Sequence, residues 1–143
     1  MDILKKGIKQ KRGSRACIAA VTAMATRTTI KEFKKFIGHE SGDDGYSKRD
    51  LMLYLITKGY SVGTSFHNYG SPFKINKTGT LRVEMKPIRA PAYIVVESEN
   101  YKNGHHALYW DGERVFDPLP DVKDGKPLRS YKITAWSPIY ICR

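Results

Sequence analysis

A histidine and an aspartate at matched positions on the two arms of one hairpin, with a cysteine far upstream, are the residues in this chain whose types and spacing point to chemistry. The hairpin is His105-His106-Ala107-Leu108-Tyr109-Trp110-Asp111-Gly112-Glu113-Arg114-Val115-Phe116-Asp117-Pro118. Asp-Gly between two aromatic and β-branched runs is a strong short-range signal for a two-residue turn. With Asp111 and Gly112 as the turn, Trp110 pairs with Glu113, Tyr109 with Arg114, Leu108 with Val115, Ala107 with Phe116, and His106 with Asp117. Cross-strand partners share a face with Cβ atoms about 4.5 to 5.5 Å apart, within reach of an imidazole–carboxylate hydrogen bond. Pro118 biases Asp117 towards extended backbone. His105 points to the opposite face of the strand and reads as structural, or as the wall of a pocket. In this register a loop of three or four residues would take Asp117 away from His106. A paired His and Asp asks for a nucleophile, and Cys17 supplies a thiol.

Cys17 must then sit on an element that holds it still. Ala16 to Thr26 reads as a helix because five alanines supply propensity, and Cys17, Ala20, Val21 and Met24 fall on one face. Small residues on nearly every side let other elements approach, so this is expected to be a buried central helix. A second helix follows over Ile30 to Ile37, with Ile30, Phe33 and Ile37 at helical spacing and Gly38 as its end. Ser47-Lys48-Arg49-Asp50 has the spacing of a capping box and opens a third helix, which closes near Gly59.

From Tyr60 onward the periodicity changes. Tyr60 to Phe66 reads as a short strand, followed by a Gly-, Asn- and Pro-containing loop up to about Thr80. Leu81 to Met85 fits either a strand or a turn of helix. Pro91 to Glu97 reads as a buried strand, Leu119 to Arg129 as a polar loop, and Tyr131 to Trp136 and Ile139 to Cys142 as two strands separated at Ser137-Pro138. Cys142 reads as a packed residue of the last strand, and Tyr109, Trp110 and Trp136 as sheet packing rather than a stacking platform. Helices first and strands after make the chain α+β. The 143 residues are expected to form one domain, 1–143, opening on a basic arm over residues 1–15.

That arm carries Lys5, Lys6, Lys9, Lys11, Arg12 and Arg15 against the single acid Asp2. It can bind phosphates, but isolated charge runs are usually solvated, and the solvated reading is preferred. The whole chain has a net charge of +11, which favours acidic partners without saying anything about fold. Two cysteines make no disulfide framework, and no secretion signal opens the chain, so a reduced, cytoplasmic protein is expected. No apolar run reaches the roughly eighteen residues that a membrane span needs. The loop His39-Glu40-Ser41-Gly42-Asp43-Asp44 has acids and an imidazole, but its spacing matches no metal-ligand pattern. Neither a metal nor a cofactor is expected.

The order of these parts resembles the papain-like cysteine peptidase superfamily, and within it the compact peptidases that remove double-glycine leaders from bacteriocins, together with their stand-alone relatives. Cys17-Ile18-Ala19-Ala20-Val21 is similar to the nucleophile helix, Arg89-Ala90-Pro91-Ala92-Tyr93-Ile94 to the strand before the histidine, and His106-Ala107-Leu108 and Asp117-Pro118 to the other catalytic signatures. The resemblance covers most of the chain in order. It implies a papain-like fold, with the nucleophile on the first of the N-terminal helices and these packed on a C-terminal antiparallel sheet. It further implies Cys17 as nucleophile, His106 as general base and acid, Asp117 as the residue that orients the imidazole, and an upstream glutamine as oxyanion donor.

Gln10, seven residues before Cys17, fills the last of these places, although its gap is about a residue longer than the family's pattern; Gly13 can absorb the difference in a bulge. Chemistry supports the assignments, because a helix N-terminus and a neighbouring imidazolium both favour a thiolate. An imidazole can protonate a leaving group, and a carboxylate can hold its tautomer. An amide can join a backbone N–H at a developing oxyanion. The resemblance thus implies a cysteine peptidase or amidohydrolase acting on a peptide or amide bond of a protein substrate, with deamidation or acyl transfer as related outcomes. The alternative is a catalytically silent module on the same scaffold, whose basic surface holds an acidic protein or, less favoured, nucleic acid. A phage or effector protein acting on host targets fits either reading.

Overall fold

The first helix, α1 (Cys17–Thr26), is buried from Ile18 to Ala25, as its run of small side chains requires. It packs against the two other helices and against the strand that carries His106. In the computed structural model the described residues are 4–40, 45–63, 66–67, 73–75, 81–83, 86–87, 89–98, 104–123 and 125–142. Asp43 and Asp44, most of the loop before Thr80, and the turn between residues 99 and 103 lie outside them. So do Met85 and the side chains of residues 66–67, 73–75, 81–83 and 86–87.

Helix α1 ends at Arg27, which takes the left-handed conformation (φ 59°) that its position demands, and its N–H caps the carbonyl of Ala23. Helix α2 (Ile30–Ile37) opens on a reciprocal capping box between Thr29 and Glu32 and closes on Gly38 at φ 88°. Helix α3 (Lys48–Thr57) opens on the Ser47–Asp50 box read from the sequence. The serine hydroxyl accepts from Asp50 N–H at 3.2 Å, and the aspartate accepts from Ser47 N–H at 3.0 Å. Ser47→Ala removes one half of this exchange and is expected to cost about 1 kcal/mol, read as a shift of the urea midpoint; an unchanged midpoint would show that the cap is idle. Phe33 joins the helices at their centre, fully buried, with its ring edge-on to Tyr46 at 5.0 Å and Tyr54 at 5.4 Å.

The strands after α3 are β1 (Tyr60–Val62), β2 (Phe66–His67), β3 (Phe73–Ile75), β4 (Leu81–Val83), β5 (Lys86–Pro87), β6 (Ala92–Glu97), β7 (His105–Trp110), β8 (Val115–Phe116) and β9 (Ile133–Ile141). The main sheet runs β1-β9-β6-β7-β8, antiparallel throughout, with β2 also paired to β9. Three helices on one face of an antiparallel sheet make the chain α+β, as the order of periodicities indicates. The segment Leu81–Val83, ambiguous from sequence, is the middle strand of a separate three-stranded sheet, β3-β4-β5. Both faces of the main sheet are covered. Tyr93, Ala107, Tyr109 and Ile139 face the helices, while Ile94, Val96, Leu108 and Trp136 form a second cluster with Leu128 from the loop after β8.

Four expectations are corrected. The hairpin turn is shifted by one residue: its tip is Gly112-Glu113, bracketed by a backbone bond from Asp111 N–H to Arg114 O at 3.1 Å. Tyr109 lies opposite Phe116 and Trp110 opposite Val115, leaving Asp111 to Arg114 as the loop. Asp111 builds that loop by accepting from the N–H groups of Glu113 at 2.8 Å and Arg114 at 2.7 Å through one carboxylate oxygen, a side-chain turn that competes with the turn at Asp111-Gly112. The register therefore slips by two. Since side chains alternate with period two, a slip of two keeps Asp117 on the face of His106, now diagonally across.

Second, β9 is continuous through Ser137-Pro138. The missing N–H of Pro138 falls where the neighbour on that side passes from β1 to β2, so no regular ladder bond is lost. Its carbonyl accepts from Gly63 N–H at 2.7 Å. A Cβ on Gly63 would come within 2.8 Å of the Tyr140 ring, so this contact requires glycine. Third, Cys142 lies beyond the end of β9 and is exposed, its backbone N–H bonded to Gly59 O.

Fourth, the basic arm is not a solvated tail over its described part. Leu4 and Gln10 are buried, and Gly7 lies against the ring of Phe116. The Lys9 ammonium donates to the carbonyls of Asp117 and Val122, Gln10 N–H donates to Pro118 O at 2.8 Å, and Arg12 forms a bidentate pair with Asp121. The arm is a strap along the segment that carries Asp117.

Candidate active site

Cys17 is the first residue of α1, half-buried, at the end where the backbone N–H groups of the first turn have no intrahelical partner. Ala16 has no side chain with which to cap them, and no acid stands in the first turn. The helix therefore presents its positive end around the sulfur. Cys17 lines a cleft of about 530 Å³ together with Gln10, Tyr46, Tyr93, His105 and His106.

His106 enters from the second position of β7, with 11% of its side chain exposed. Its Nε2 lies 2.7 Å from Oδ1 of Asp117. Cys17 is the other group that acts on the ring, and it favours the charged form. Asp117, buried just past β8, is fully engaged. Oδ1 also accepts from Leu119 N–H at 2.9 Å, and Oδ2 accepts from the Tyr131 hydroxyl at 2.7 Å.

The electrostatics follow from these contacts. Burial opposes a charge on His106, but the hydrogen bonds to Asp117 and Cys17 and their negative charges outweigh it, and the imidazolium pKa is raised from 6.5 to about 9. Burial also opposes ionisation of Asp117. There the hydrogen bond and charge of His106, the Leu119 N–H and the Tyr131 hydroxyl win, holding the carboxyl below its ordinary range. The phenol of Tyr93 is pushed up by burial and then by the charge of Cys17. This geometry can hold a proton on His106 beside a sulfur at neutral pH, the requirement for a thiol nucleophile with a proton donor at hand.

Gln10 lies in the same cleft. Its Nε2 donates to Ser14 O at 2.6 Å, and its Oε1 is buried without a hydrogen-bond partner. His105, on the other face of β7, is exposed and forms part of the cleft wall. Tyr131 escaped the sequence reading, which placed it at the start of a strand; it precedes β9, after a 3₁₀ turn over Leu128–Ser130. A tyrosine beside a polar loop carries no sign of its partner, and only the fold brings its hydroxyl to Asp117. Tyr93 reads from the sequence as part of a buried strand and Tyr46 as the end of a loop, and only the fold makes them cleft walls. Among the described residues, no three His, Cys, Asp or Glu side chains converge as metal ligands. No helix among them is long and apolar enough to cross a membrane.

Helices ahead of an antiparallel sheet, packed on one face of it, make a papain-like α+β fold. Among solved structures, the chain is similar to the crystal structure of a double glycine motif protease from an AMS/PCAT transporter in complex with the leader peptide. The TM-score is 0.63 at 13% identity, over 96% of this chain and 93% of that one. At that identity the likeness is one of fold. No family model matches the sequence, and no curated protein does.

Proposed function

We propose that the chain is a cysteine peptidase or amidohydrolase that cleaves a peptide or amide bond of a protein substrate with Cys17, His106 and Asp117. The observation that carries this reading is a histidine bonded to a buried aspartate and sharing one cleft with a cysteine at a helix N-terminus. The Cys17 thiolate attacks the carbonyl carbon. The oxyanion that forms is met by the backbone N–H of Cys17 and the free N–H of the Gln10 amide. His106 gives its proton to the leaving amine, then takes one from the water that releases the acyl group. Asp117 keeps the ring in one tautomer and one direction throughout.

A peptide chain suits the cleft. The solved structure of similar fold holds a leader peptide, and a net charge of +11 favours a substrate with acidic residues. Attack on a side-chain amide or transfer to an acceptor other than water uses the same groups. Two cysteines that make no disulfide framework fit a reducing compartment such as the cytoplasm, where thiols stay reduced.

The test is the reaction of the folded protein with iodoacetamide near neutral pH. Cys17 is expected to alkylate at least tenfold faster than the exposed Cys142, although Cys142 is the more accessible of the two. Equal rates would remove the activated thiolate and leave a binding module on a peptidase scaffold. Such a module would retard nucleic acid at low salt, or hold an acidic protein, without cleaving it.

A further inference from the structure

We propose that Tyr131 is a positioning residue for this chemistry: its hydroxyl, 2.7 Å from Oδ2 of Asp117, holds the carboxylate plane so that Oδ1 stays aimed at Nε2 of His106. The inference rests on the proposed function and extends it by one residue that no catalytic signature in the sequence contains.

The Tyr131 oxygen accepts from Lys126 N–H at 3.1 Å, so its own proton is available for Asp117. The tyrosine backbone is tied by its N–H to Leu128 O at 3.2 Å, and its ring packs against the cluster on the far face of the sheet. Asp117 is thus held at both of its carboxylate oxygens. His106 and the Leu119 N–H share Oδ1, and Tyr131 takes Oδ2. The grip matters because the terminal torsion of an aspartate is soft and nearly two-fold. With Oδ2 unheld, rotation exchanges the two oxygens and carries the acceptor out of line with the imidazole. A hydrogen bond to an ionised acceptor is also among the stronger kinds, and it holds Asp117 in the charged form that orients His106.

The test compares wild-type protein with Tyr131→Phe, which keeps the ring and its packing. The Asp117 side-chain carboxyl is followed by carbon NMR through an acid titration, and Cys17 alkylation is timed at neutral pH. In Tyr131→Phe the Asp117 midpoint is expected to rise by about one pH unit, the size of one charge-assisted hydrogen bond. Cys17 alkylation is expected to slow several-fold while that of Cys142 is unchanged. A role in packing alone would lower stability and leave both readings in place, which overturns the proposal. A raised midpoint with unchanged Cys17 reactivity also overturns it, since the hydroxyl would then only satisfy a buried charge.

If Tyr131→Phe does not fold, the Tyr131 ring carbon bearing the hydroxyl is followed in the wild type. Its resonance is expected to move with Asp117 protonation, and a flat trace overturns the contact. Wild-type Cys17 no more reactive than Cys142 would instead sink the peptidase reading while leaving the Asp117 titration to report on Tyr131 by itself.

Discussion

Replacing His106 with alanine is expected to slow cleavage of a susceptible peptide by about 10² to 10⁴-fold, the range that a positioned acid and base contributes. The loss should appear in kcat, with KM little changed, because the proton transfers occur in the transition state and not on binding. His106 is also the cation that the sulfur faces, so Cys17 alkylation should slow in the same variant. A His106→Ala protein that cleaves at the wild-type rate would place the chemistry elsewhere.

The pH dependence has a definite sign. His106 has a folded pKa of about 9 against an ordinary 6.5, so the stability it contributes is complete below 6.5 and is lost as the pH rises through about 9. Asp117 is shifted the other way. Its contribution is complete above its ordinary 3.8 and is lost as the pH falls through the depressed folded value. Between 3.8 and 6.5 both are whole. Asp117→Asn should therefore lower the His106 midpoint, read by NMR, and bring the alkaline loss to lower pH. A midpoint that stays near 9 in that variant would assign the shift to Cys17 instead.

The largest expected loss of stability comes from Phe33→Ala. The ring is fully buried where α2 meets α3, edge-on to Tyr46 and Tyr54. Truncation removes its burial and leaves a cavity that rigid helices on three sides cannot fill, which costs about 3 to 5 kcal/mol. Against a total of about 5 to 15 kcal/mol for a domain, much of the protein's stability goes with it. Urea unfolding measures the change, and a loss under about 1 kcal/mol would mean that the helices close over the gap. Tyr46 lines the cleft, so the same variant is expected to slow Cys17 alkylation in the folded protein, a consequence of packing rather than chemistry.

Much of the architecture was legible before any coordinates. The alanine run named α1, the caps at Gly38 and Ser47 bounded α2 and α3, and the change from helical to alternating periodicity at Tyr60 placed the sheet after the helices. These are local signals, written in residues a few positions apart. The face shared by His106 and Asp117 was legible for the same reason, since alternation along a strand survives a slip of two.

What the sequence did not contain were contacts between residues distant along the chain. The turn position hung on whether Asp111 would spend its carboxylate on the N–H groups of its own loop. The path of Pro138 inside β9 hung on which strand edge faced its missing N–H. The basic arm looked like a free tail because nothing near it in sequence shows that Lys9 and Arg12 meet Asp117 O and Asp121 more than a hundred residues later. By itself the sequence determined the elements, their order and which face of one strand carries the imidazole, because propensity, capping and alternation act over a few residues. Tertiary structure alone decided that Tyr131 meets Asp117 and that the basic arm straps the segment carrying it, because hydrogen bonds across a fold depend on where packing brings side chains and not on their spacing along the chain.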